Sequence, residues 1–140
     1  MTENFKIIGN FIKDMSSETP DAQTHIFVRN KISKYRLNID INSKAVKDGI
    51  IEVNTIIKFS DQPEILKKAY FEITYTSIVK VDEKVSDKKE MEKIILCDVP
   101  NKIYPDLERI FLNLLTDSGY PGIKFEKKVD FTELYKQRAN

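Results

Sequence analysis

Lys34-Tyr35-Arg36-Leu37-Asn38-Ile39-Asp40-Ile41-Asn42 alternates polar and apolar residues at every step. Period two puts Tyr35, Leu37, Ile39 and Ile41 on one face of a half-buried strand. The same alternation returns at Ile51, Val53, Thr55, Ile57 and Phe59. Ala69, Phe71, Ile73 and Tyr75 open a further strand that runs toward Val81. Upstream, Phe5, Ile7, Phe11 and Met15 mark a strand over 5–15. Asn42 to Gly49 reads as a turn region punctuated by Asp48-Gly49, and Ser60 to Pro63 ends the third strand. Four successive strands with short joins predict an antiparallel meander.

The second half changes period. Asp82 to Glu92 is highly charged and reads as solvated, and Met91, Ile94 and Ile95 suggest a short helix or turn back to the core. Pro100 should interrupt the chain. Ile103, Leu107, Ile110, Phe111, Leu114 and Leu115 then fall at helical spacing. Pro105 and Asp106 suit a first turn, and Ser118-Gly119 suits the stop. The apolar arc of this helix spans roughly 140°, more than one sheet needs. Asp130-Phe131-Thr132-Glu133 looks like a capping box opening a short last helix. Strands followed by helices predict an α+β fold: a four-stranded antiparallel sheet, a long helix and a short C-terminal helix. With 140 residues, this is one domain spanning 1–140.

Composition narrows the function. Lysine and arginine total 23 against 22 acids, so a net charge of +1 argues against nucleic acid as partner. No run approaches the ~18 apolar residues of a membrane helix, and Lys6, Asn10 and Lys13 interrupt any signal-like segment. A cytoplasmic protein without direct membrane insertion is expected. One histidine and one cysteine exclude a multi-histidine metal site and an internal disulfide. His25, within His25-Ile26-Phe27-Val28, reads as a strand-edge residue, and Cys97 as a small hydrophobe. No GxSxG, P-loop or GxGxxG occurs, so no enzyme chemistry and no cofactor is expected.

Two segments carry a more specific pattern. One is Phe11-Ile12-Lys13-Asp14-Met15-Ser16-Ser17-Glu18-Thr19-Pro20. The other is Pro100-Asn101-Lys102-Ile103-Tyr104-Pro105, followed by the long helix, Gly119-Tyr120-Pro121 and Val129-Asp130-Phe131-Thr132-Glu133-Leu134-Tyr135. Their order and separation resemble the SecB family of bacterial protein-export chaperones, from about residue 5 to residue 137. The resemblance implies a homotetramer, a dimer of dimers, that binds unfolded preproteins and hands them to the SecA ATPase without binding ATP or metal itself. The long helices would meet between dimers, through Ile103, Leu107, Ile110, Phe111, Leu112 and Leu114. The acids of the SecA-docking face would fall on Asp14, Glu18 and Glu72, with Tyr70 two positions before Glu72.

Groove candidates for the unfolded client are Phe27, Ile32, Tyr35, Leu37 and Ile39, joined by Phe125, Phe131, Leu134 and Tyr135. Leu37 and Ile39 suit core and groove equally. Family members are distinctly acidic, whereas this chain is near neutral, which places the weight of docking on the local acids. Two alternatives stay open: a SecB-like chaperone dedicated to one client such as an antitoxin, and an oligomeric adaptor without a groove.

Overall fold

The computed structural model describes residues 4–61, 68–125 and 129–139, with side chains as far as residue 137. Strands β1 (Phe5–Glu18), β2 (Arg36–Lys47), β3 (Ile50–Ser60) and β4 (Tyr70–Val81) form one antiparallel sheet in the order β1-β4-β3-β2. Only β2-β3-β4 is a meander. The expectation of a four-strand meander fails at β1, which lies on the far edge beside β4. The 19–35 connection is long enough to cross from one edge to the other, which makes the topology a Greek key.

That connection carries a helix that the alternation did not reveal, α1 (Ala22–Arg29). Asp21 caps it, accepting the Thr24 amide at 2.7 Å. His25 is therefore a helical residue, not a strand-edge one. Its local β-branched and aromatic neighbours favour a strand, but the cap and the burial of Thr24 and Val28 decide otherwise.

The hairpin between β2 and β3 turns on Asp48 and Gly49 alone, both at positive φ (47° and 77°). That is the backbone a tight antiparallel hairpin needs. The expected turn region from Asn42 is instead paired strand as far as Lys47, with a bulge at Val46. The polar residues there sit on an exposed strand end, so polarity did not mean turn. From Gln62 onward, the expected break at Ser60–Pro63 lies outside the described residues.

Helix α2 (Lys88–Lys93), a wider π-helical turn (Ile94–Asp98) and α3 (Val99–Asp117) run on as one helical rod. Asp82–Glu92 holds no buried residue, as its charge predicts, and its last part with Met91 is the short helix expected there. Pro100 does not interrupt. The π turn immediately before it, closed by the Val99 amide on the Ile94 carbonyl, absorbs the local backbone mismatch. Pro105 likewise sits inside the helix rather than in its first turn. The helix ends as read: the Tyr120 amide bonds the Leu115 carbonyl and the Gly119 amide that of Thr116, a Schellman motif. Helix α4 (Phe131–Ala139) opens on Asp130, whose carboxylate accepts the Glu133 amide at 3.1 Å.

Rod and sheet pack face to face. Ile57, Ile73 and Phe71 from the sheet meet Leu107, Phe111 and Leu115 from α3, all 0% exposed. Burying six such side chains contributes roughly 1.5–3 kcal/mol each before conformational entropy is counted. A smaller cluster of Phe5, Val53, Val79, Val81, Ile94 and Val99 closes the other end.

Candidate client groove and docking face

The groove builds from the β2 edge. Leu37, Ile39 and Ile41 share the face that packs toward the helices and stay half-buried. Three clefts follow them. One of 730 Å³ is lined by Ile32, Tyr35, Leu37, Phe59, Ile123 and Phe125. One of 410 Å³ lies between Leu37, Ile39, Val129 and Leu134. One of 270 Å³ lies between Ile39, Ile41, Leu96, Phe131, Leu134 and Tyr135. Shared Leu37, Ile39 and Leu134 make them one open, mainly apolar run, with Lys124, Asp130, Glu133 and Gln137 also along it, beside a strand that pairs only with β3 among the described residues.

Aromatic packing sets the first cleft. Phe59 meets Tyr35 at 5.4 Å and Phe125 at 5.8 Å between ring centroids. The Tyr35 hydroxyl accepts the Ala69 amide at 3.0 Å, and burial raises its pKa above the ordinary value. Helix α4 forms the other wall. Phe131 packs edge-on to Tyr104 at 5.4 Å, and Asn101 donates to Thr132 Oγ1 at 3.1 Å. Cys97 is buried beside the same threonine.

The sequence candidates divide accordingly. Leu37, Ile39, Phe125, Leu134 and Tyr135 line the clefts with surface to spare. Ile32, Tyr35 and Phe131 line them too but are largely core, at 4%, 8% and 1% exposed. Phe27 lines none of these three clefts; it sits on α1 under the Lys31 ammonium, 4.4 Å from the ring centre. Phe59, Ile41, Leu96, Ile123 and Val129 line the clefts and were not singled out as groove residues. Ile41 was legible as the next step of the opening alternation. Leu96 was not, because only the π turn aims it there.

The opposite face of the sheet gathers the docking candidates. Asp14 pairs with Thr74, Ser16 with Glu72 and Glu18 with Tyr70, so Asp14, Glu18, Tyr70 and Glu72 share one side. The Tyr70 hydroxyl donates to Glu72 Oε1 at 2.5 Å. Burial, then that bond and the Glu72 and Glu18 charges, push the Tyr70 pKa up to about 12. Lys58, opposite Glu72 on β3, places its ammonium 3.8 Å from the same Oε1. Further along, Lys13 reaches Glu52 at 3.0 Å, and Asn54 joins Glu52, Asn42 and Thr76 by hydrogen bonds.

The helix residues expected between dimers also divide. Ile103, Leu107 and Phe111 are buried against their own sheet, at 2%, 0% and 0% exposed, with almost no surface left for another subunit. Ile110, Leu112 and Leu114 remain half-buried. No described helix is long and apolar enough to cross a membrane.

An open, mainly apolar run beside a strand edge with no partner strand among the described residues suits extended polypeptide segments of many sequences, so the class is a polypeptide-binding chaperone fold. The family model described as preprotein translocase subunit SecB matches residues 1–140. The chain belongs to the SecB family of protein-export chaperones. It is 92% identical over 140 residues to the putative protein-export protein SecB of Pelagibacter ubique, covering 100% of both chains. The protein-export protein SecB of Roseobacter denitrificans is 28% identical over 142 residues, covering 94% of this chain and 78% of that one. A SecB-like chaperone of Mycobacterium tuberculosis, solved with a peptide from an antitoxin, shares the fold at TM-score 0.68 and 12% identity. That match covers 90% of this chain and 88% of the other.

Proposed function

We propose that this chaperone holds unfolded, export-bound preproteins in the cytoplasm and passes them to the SecA ATPase, working as a homotetramer. The observation that carries this is the continuous apolar run along β2, from Leu37 through Ile39 to Leu134 and Tyr135. It is open rather than pocket-shaped, so it grips short apolar segments weakly and at several points. A chain that folds quickly buries those segments and escapes, which makes selection kinetic. Asp14, Glu18, Tyr70 and Glu72 form the SecA face, supported by their common side of the sheet. Ile110, Leu112 and Leu114 are the helix residues with apolar surface left for tetramer contacts.

Light scattering with a slow-folding preprotein tests this. A particle of about four chain masses should take up the unfolded preprotein and ignore the same protein once folded. A particle that binds neither, or only one folded partner, would point to an adaptor instead.

A further inference from the structure

The acids of the docking face are not equally available. Glu72 is held from two sides: Tyr70 donates to its Oε1, and Lys58 approaches that same oxygen at 3.8 Å. Asp14 and Glu18 lie on β1, a strand away. We propose that Lys58 acts as an internal competitor, occupying Glu72 in place of a cationic segment of the docking ATPase and thereby keeping docking weak and reversible. This rests on the docking reading above.

The physical argument has three parts. At 3.8 Å the Lys58–Glu72 contact is an ion pair without a hydrogen bond, and both side chains keep solvent contact, at 46% and 24% exposed. An ammonium on a flexible stem leaves such a contact easily. The Tyr70 hydroxyl does not leave with it, so it keeps the carboxylate aimed when a partner's cation replaces Lys58. A displaced Lys58 ammonium then stands beside the incoming cation as a like charge, which opposes the complex. Lys13 plays no such part at this end, because it is paired with Glu52.

Titration of SecA with the intact tetramer at low and high ionic strength tests the idea. Lys58→Met keeps most of the stem and removes the charge. It should tighten binding about two- to fivefold at low ionic strength, as expected for an exposed pair. The gain should vanish at high salt. Lys58→Arg keeps the charge on Glu72 and should show no gain. Lys58→Gln repeats the measurement if the methionine variant associates non-specifically. Glu72→Gln, run in parallel, reports on the docking reading itself. If it binds SecA undiminished, that reading fails. If it binds more weakly while Lys58→Met and Lys58→Gln show no gain, the competitor role is overturned and the docking face stands.

Discussion

The two edges of the sheet solve the same problem differently. An edge strand exposes unpaired backbone and invites association. β1 is bulged at Ile8 and Lys13, and leaves Ile8, Phe11, Ile12 and Met15 at 43–54% exposed. Each bulge resets which side chains face the helices, so Ile7 and Met15 share one side with Phe5 while Phe11 falls on the other. β2 is regular from Arg36 to Ala45, apolar on one side only, and flanked by α4. A bulged edge with apolar groups on both sides suits one shape-matched partner. A regular edge beside an apolar trough suits many extended ones. Register regularity, more than hydrophobicity, separates the two.

The largest expected effect removes what both edges hang from. Phe111→Ala should cost roughly 3–5 kcal/mol in denaturant unfolding, by cavity formation at a 0% exposed site. A smaller loss would mean that sheet and rod repack, and that the edges are less coupled than their shared core suggests.

Next is the tie between α1 and the end of α3. A methyl at Gly119, which has φ +99°, would lie 2.8 Å from His25 Nε2. Strain and clash together put Gly119→Ala at about 2–3 kcal/mol. His25 Nε2 bonds the Gly119 carbonyl at 2.9 Å, and Ser17 and Thr19 of the β1 end bond Ser118 and Tyr120. Hydrogen exchange should therefore loosen in α1 and at the end of β1, while β2 stays protected. Equal loosening of β2 would erase the distinction between the edges.

Leu37→Asp with Ile39→Asp should weaken binding of an unfolded preprotein by about tenfold or more, since a charged groove cannot bury apolar side chains. Both residues are only half-buried, so the far-ultraviolet dichroism should be unchanged. The same charges placed at Ile8 and Phe11 should leave preprotein binding intact if the trough lies on β2.

The smallest effect concerns the outer face. Hydrogen bonds from Asn54 and then Lys13 hold the Glu52 carboxyl below its ordinary pKa of 4.5. A depressed folded-state pKa stabilises the fold above the unfolded value, and the gain is lost as pH falls through the folded one. Stability should thus decline below about pH 4.5, and Lys13→Met should shallow that decline slightly. Lys13 is half-exposed, so salt should mask the difference.

Much of the fold was legible because its signals are local. The alternation of 35–41 and 51–59, Asp48-Gly49, Ser118-Gly119 and Asp130 each act within a few residues, and each appears in the structure where it was read. Helix α1 was missed because Asp21, a sound cap, precedes a strand-like run. Pro100 misled because its interruption is local, while the remedy, a π turn, depends on packing of Ile94 and Cys97 into the core. Of the candidate sites, the acids Asp14, Glu18 and Glu72 were readable only through family resemblance.

The sequence by itself determined the bodies of β2, β3, β4, α3 and α4 and the apolar faces of β2 and β3, since periodicity and caps are properties of neighbours. Only the tertiary structure decided that β1 crosses to the far edge, that its bulges divide its apolar side chains between two faces, and that Lys58 meets Glu72. Those outcomes depend on contacts between residues distant along the chain. Their free energy exists only once the sheet has closed, so no local pattern could carry them.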